Sequence, residues 1–233
     1  IFQTSTINAL IEGVYDGEIT YKSLKEHGDF GLGTFNHLDG EMIAFDGNFY
    51  QIKSDGIAYT VDLDHEKTPF AAVTFFEPDK VFTIKNINSY EDLKAQIDKY
   101  LPSDNIPYAI KLTGDFSFVK TRSVPEQHKP YKPLTEVVKK QPKFDFNNVK
   151  GVLVGYRMPD YLAQVNVPGY HLHFLNDAKT AGGHLLECKI KNAKIEIDFS
   201  ESIFLSLPDH KDFYKANISK TDSSAIDKVE KDN

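Results

Sequence analysis

The residues best suited to chemistry are three histidines. His171 and His173 lie in the run Pro168-Gly169-Tyr170-His171-Leu172-His173-Phe174-Leu175, and His184 follows Gly182-Gly183. On a strand, side chains two apart point to one face, so His171 and His173 project together. The stretch 176–183 is rich in turn formers and reverses the chain, which brings His184 onto the next strand, facing the pair. Three imidazoles with a position left open are the donor set of a catalytic zinc site, whereas structural zinc sites are usually closed by four ligands, often cysteines. Cys188 is the only cysteine. Strict alternation puts it on one apolar face with His184, Leu186 and Ile190, where a buried inert thiol is a commoner fate than metal ligation.

Two charged residues accompany the histidines. Arg122 ends the run Phe116–Thr121 and precedes a Pro-rich segment; its alternative reading is an ordinary surface arginine. Glu41 follows the turn Leu38-Asp39-Gly40 and alternates with Ile43 and Phe45, apolar company that raises a carboxyl pKa on burial. The alternative for Glu41 is a carboxylate at a strand edge. No G-x-G-x-x-G, P-loop or G-x-S-x-G motif is present, so chemistry must lean on a metal and on charged side chains.

The elements that carry these residues are mostly short strands. Asp39-Gly40, Asp46-Gly47 and Asp55-Gly56 separate runs that read as strands over 41–45, 49–53 and 57–61. Strands are also expected over 71–76, 81–84, 152–156, 170–175, 184–191 and 194–199, with a hairpin of 108–112 and 116–121 about Thr113-Gly114. Helices are expected over 4–14, capped by Thr4 or Ser5, over 89–101, capped by Ser89, over 134–140, and as a turn from Ser223 to Glu230. Strand runs interleaved with a few helices imply α+β, not a doubly wound sheet. Prolines at 125, 130 and 133 exclude regular structure there. They divide the chain into an N-terminal β-rich half, 1–124, a crossing segment, 125–133, and a C-terminal half, 134–233, carrying the histidines; the halves are compatible with one integrated domain.

Composition narrows the setting. The chain has 233 residues, 40% hydrophobic and 26% charged, which predicts a globular protein able to bury a sizeable core. Its net charge of −7 argues against a nucleic-acid partner. No apolar run reaches the length of a membrane span. A single cysteine allows no intrachain disulfide and fits a reducing compartment. The chain begins Ile1-Phe2-Gln3, so a segment upstream is expected to have been removed or left out.

The blocks Gly31-Leu32-Gly33-Thr34-Phe35, Leu38-Asp39-Gly40-Glu41, Thr121-Arg122-Ser123-Val124-Pro125, Pro130-Tyr131-Lys132-Pro133-Leu134, Gly169-Tyr170-His171-Leu172-His173-Phe174 and Gly183-His184 occur in order. Together they resemble the acetolactate decarboxylase family over almost the whole chain. The resemblance implies a mixed, largely antiparallel, barrel-like sheet with a few flanking helices, a homodimer and cytoplasmic residence. It implies Zn2+ on His171, His173 and His184, a substrate site lined by Glu41, Arg122 and Thr34, and a C-terminal glutamate near the metal, for which Glu230 is the best match. The implied reaction is decarboxylation of 2-acetolactate to acetoin and CO2 through a metal-stabilised enediolate, with Arg122 placing charge first and delivering a proton second, and a protonated Glu41 as the alternative donor. Two other functional readings stand beside it, and a third reading is a β-rich soluble domain with satisfied histidines. Cupin-like oxygenases also use His-x-His, usually followed by a glutamate where this chain offers Asn176 and Asp177. A non-catalytic domain that binds metal or sugar through its aromatic hairpins is the other.

Overall fold

The computed structural model describes residues 1–220 and 224–230. The first half runs β1 (Phe2–Thr4), α1 (Ile7–Ile11), β2 (Ile19–Thr20), α2 (Tyr21–Lys25), β3 (Phe30–Thr34), β4 (Glu41–Phe45), β5 (Asn48–Ile52), β6 (Ala58–Thr60), β7 (Lys67–Thr68) and β8 (Ala71–Thr74). The second runs β9 (Lys80–Ile87), α3 (Tyr90–Asp98), β10 (Tyr108–Arg122), α4 (Leu134–Val137), β11 (Lys143–Met158), β12 (Gly169–Asn176), β13 (Gly182–Phe199), β14 (Phe204–Ser206), α5 (Lys211–Lys215) and α6 (Ser224–Glu230).

Seven strands form a sheet in the order β14-β1-β8-β3-β4-β5-β6, and five longer ones form a second in the order β10-β11-β12-β13-β9. Neighbours are antiparallel apart from β1 beside β14. The fold is therefore mixed α+β, with mostly antiparallel sheets and small helices. The expected barrel does not form. β10 pairs along its length with both β11 and β13, but β12 meets β13 through only three residue pairs, so the wall stays open over most of its height.

Local chemistry accounts for the elements and for three corrections. Ser89 caps α3 as expected, its hydroxyl accepting from Asp92 N at 3.1 Å, and Leu93 and Ile97 on the buried face pack against the second sheet. α1 is shorter than expected, because Thr4 closes β1 and Thr6 is the cap, accepting from Ala9 N at 3.2 Å. The hairpin expected at Thr113-Gly114 is one continuous strand. A Cβ on Gly114 would lie 2.3 Å from Asn192 O, so this glycine serves close approach of β13, not a turn. The break expected after Lys191 is absent for the complementary reason: Asn192 and Ala193 pair opposite Asp115 and Gly114.

The sheets pack face to face. Leu32, Ile43 and Ile52 of the first meet Val152, Val154 and Tyr156 of the second in one buried cluster, each such side chain contributing about 1.5–3 kcal/mol. A separate cluster joins Ile7 and Leu10 of α1, Leu38, Phe70, Val124, Leu134 of α4, and Ala225, Ile226 and Val229 of α6. Among the described residues, no helix is long and apolar enough to cross a membrane.

Candidate metal centre and active site

The histidines converge because four strands pair around one hairpin. β11 holds β12 in register, with Tyr156 opposite His171 and Val154 opposite His173. The turn from β12 to β13 then pairs His173 with His184, while β10 pairs Arg122 with His184 from the other side. Gly182 and Gly183 make this closure possible. A Cβ would stand 2.1 Å from Phe174 O at the first and 2.4 Å from Arg122 O at the second, and Gly183 has φ 139°.

The ligand atoms of His171, His173 and His184 lie within 4.8 Å of one another, and all three residues are buried. Burial, with the Arg122 charge adding in the same direction, holds the His171 pKa down to about 3. Burial also takes His173 well below the ordinary histidine range, with His171 and Arg122 adding and a bond to Met42 opposing. Both rings are thus neutral, the form that ligates metal.

His173 Nδ1 donates to the Met42 carbonyl at 2.7 Å, since a carbonyl can only accept. Its Nε2 is left with a lone pair, no hydrogen-bond partner among the described residues, and Glu41 Oε2 at 3.5 Å. A buried lone pair beside a carboxylate is unfavourable unless a proton or a metal cation joins them. Three buried imidazoles, two of them held neutral, together with this orphaned atom fit Zn2+.

Cys188 is not part of the group. The pairing slips between Lys120–Glu187 and Thr121–Leu185, a β-bulge that leaves Leu186 unmatched and reverses the alternation. Leu185 and Cys188 therefore bury together in the cluster behind the sheet, on the face opposite His184, and burial pushes the thiol pKa up.

Glu41 and Arg122 complete the polar side. Arg122 is 3% exposed. Its Nη1 lies 3.4 Å from Glu41 Oε1 and donates to Gln141 Oε1 at 3.0 Å, and its Nη2 donates to the Val229 carbonyl at 2.8 Å. Its Nε is buried with no hydrogen-bond partner among the described residues. Thr34 also lines the cavity, but its hydroxyl donates to Gly40 O at 2.6 Å, which locks the turn leading into Glu41. Its remaining capacity is as an acceptor. Glu230 ends α6, and its side chain lies outside the described residues.

The rest of the cavity lining is largely apolar, including Ile7, Leu10, Leu38, Phe70, Leu134 and Val229, which belong to one buried cluster. Gln141, the Met42 carbonyl and Val229 escaped sequence reasoning. Each acts through a tertiary contact from a segment whose own pattern carries no chemical signal.

The site can hold a divalent ion, bind an anionic group at Arg122 and move a proton through Glu41. Comparisons with known proteins show the family. Residues 1–220 match the family model described as alpha-acetolactate decarboxylase. The chain is 48% identical over 231 residues to an alpha-acetolactate decarboxylase of Methanosarcina mazei, covering 99% of this chain and 80% of that one. It is also 48% identical over 230 residues to that of Methylococcus capsulatus, covering 99% and 88%. The crystal structure of alpha-acetolactate decarboxylase from Bacillus subtilis strain 168 superposes with a TM-score of 0.96 at 41% identity, covering 99% of each chain. Sequence and fold thus agree with these relatives over nearly the whole chain, which belongs to the alpha-acetolactate decarboxylase family and with it to the carbon–carbon lyases.

Proposed function

We propose that this protein converts 2-acetolactate to acetoin and CO2 with Zn2+ held by His171, His173 and His184. The observation that carries the reading is three buried imidazoles sharing one cavity with the Glu41–Arg122 pair, in a chain of this family. Acetolactate is a β-keto acid. Its C1–C2 bond breaks, the electron pair moves into the C2–C3 unit and onto the keto oxygen as an enediolate, and a proton added at C2 completes acetoin. The chemistry a zinc ion supplies when bound at those imidazoles is Lewis acidity, in place of an organic electron sink.

The chain's own residues handle charge, water and the proton. Arg122, with both Nη groups engaged, offers Nε–H to the substrate carboxylate before CO2 leaves. An arginine is a poor acid, so proton delivery to C2 falls to Glu41, which contacts both Arg122 and His173. The apolar wall excludes water, which strengthens each of these electrostatic contacts.

The test is product analysis with racemic acetolactate under an oxygen electrode. Acetoin and CO2 formed in equal amounts above the spontaneous rate, without oxygen uptake, are expected. Oxygen consumption would favour an iron oxygenase on the same histidines, and absence of acetoin would overturn the reading.

A further inference from the structure

Val229 meets the site twice. Its side chain is buried against the cavity, and its carbonyl accepts Arg122 Nη2 at 2.8 Å. It projects from the same face of α6 as Ala225 and Ile226, which anchor that face in the apolar cluster with Leu134 and Val137. The hydrogen bond to Arg122 ties this wall residue to the polar half of the site, so the side chain has little freedom to retreat. The histidines, Glu41 and Arg122 account for the oxygens of a 2-hydroxy-3-oxo acid. Its alkyl branches have only the apolar half to occupy.

We infer that Val229 is a specificity-determining residue, whose side chain limits the size of the alkyl group that the site accepts at C2 of the substrate. The inference rests on the acetolactate reading and adds to it the part of the chain that selects a methyl branch over a longer one. Van der Waals exclusion sets the direction. A shorter side chain at 229 admits one more carbon, and a longer one removes space that the methyl substrate uses.

The experiment compares kcat/KM for acetolactate and for its homologue with ethyl in place of methyl at C2, in wild type, Val229→Ala and Val229→Leu. Folding of each variant is checked by its thermal transition and zinc content. Val229→Ala should raise the ethyl-to-methyl ratio roughly tenfold, the discrimination one methylene typically provides in an apolar pocket. Val229→Leu should lower the ratio. Should Val229→Ala fail to fold, the Val229→Leu ratio decides alone. Folded, active variants that keep the wild-type ratio would overturn the inference. Wild-type protein that forms no acetoin would instead overturn the decarboxylase reading on which it stands.

Discussion

His173 and His184 stand directly opposite each other where β12 turns into β13. Their separation is therefore set by the hairpin, and the hairpin by Gly182-Gly183. Gly183→Ala should cost about 1–3 kcal/mol through its left-handed backbone, and more if the added Cβ displaces the Arg122 carbonyl only 2.4 Å away. Zinc affinity measured by chelator competition should fall together with the thermal midpoint. Unchanged affinity would show that the turn does not position His184.

Arg122 and Glu41 form a buried pair, 3.4 Å apart, beside the histidines. Arg122→Lys keeps the charge but loses the planar fork that reaches Gln141 and Val229 together. Its kcat/KM for acetolactate should drop by about 100- to 1000-fold, the usual cost of one preorganised electrostatic contact. Glu41→Gln preserves shape and removes the proton carrier, so a similar fall in kcat is expected. Turnover close to wild type in either variant would remove that residue from the mechanism.

Acid should destabilise the metal-free protein. Burial holds His171 down to about 3 and His173 well below its ordinary range, whereas both titrate near about 6.5 when unfolded. Between those values the unfolded chain binds more protons, so stability is fully present above about pH 6.5 and is lost as pH falls toward about 3. The slope is at most about 1.4 kcal/mol per pH unit for each histidine. Urea unfolding of the chelated protein across this window should show the decline, and His171→Gln should show a shallower one. A flat profile in wild type would contradict the burial of neutral rings.

How much of this was legible in the residues depends on how local each signal is. His171 and His173 follow simple strand parity because β12 is regular, and Glu41 opens a strand whose bounds, Glu41–Phe45, were readable from the turn before it. Parity misplaced Cys188 because one bulge at Leu186 reverses the alternation, and bulges leave no mark in composition. Gly114 suggested a turn because glycine answers both to turns and to close approach, and only the neighbouring strand at Asn192 distinguishes them. The barrel was an implication of the resemblance, and closure depends on how far β12 and β13 stay paired, which strand patterns do not say. Gln141 and Val229 reach Arg122 from 19 and 107 residues away along the chain, contacts that no periodicity encodes.

The most direct test of the central claim is acetoin formation from racemic acetolactate by the purified protein, before chelation, after it, and after zinc is restored, with His173→Gln alongside. Loss of activity on chelation, recovery with zinc, and neither bound zinc nor recovery in His173→Gln are the predicted results. Acetoin formation that survives complete removal of metal, or a His173→Gln protein that binds zinc and turns over as wild type does, would contradict the account.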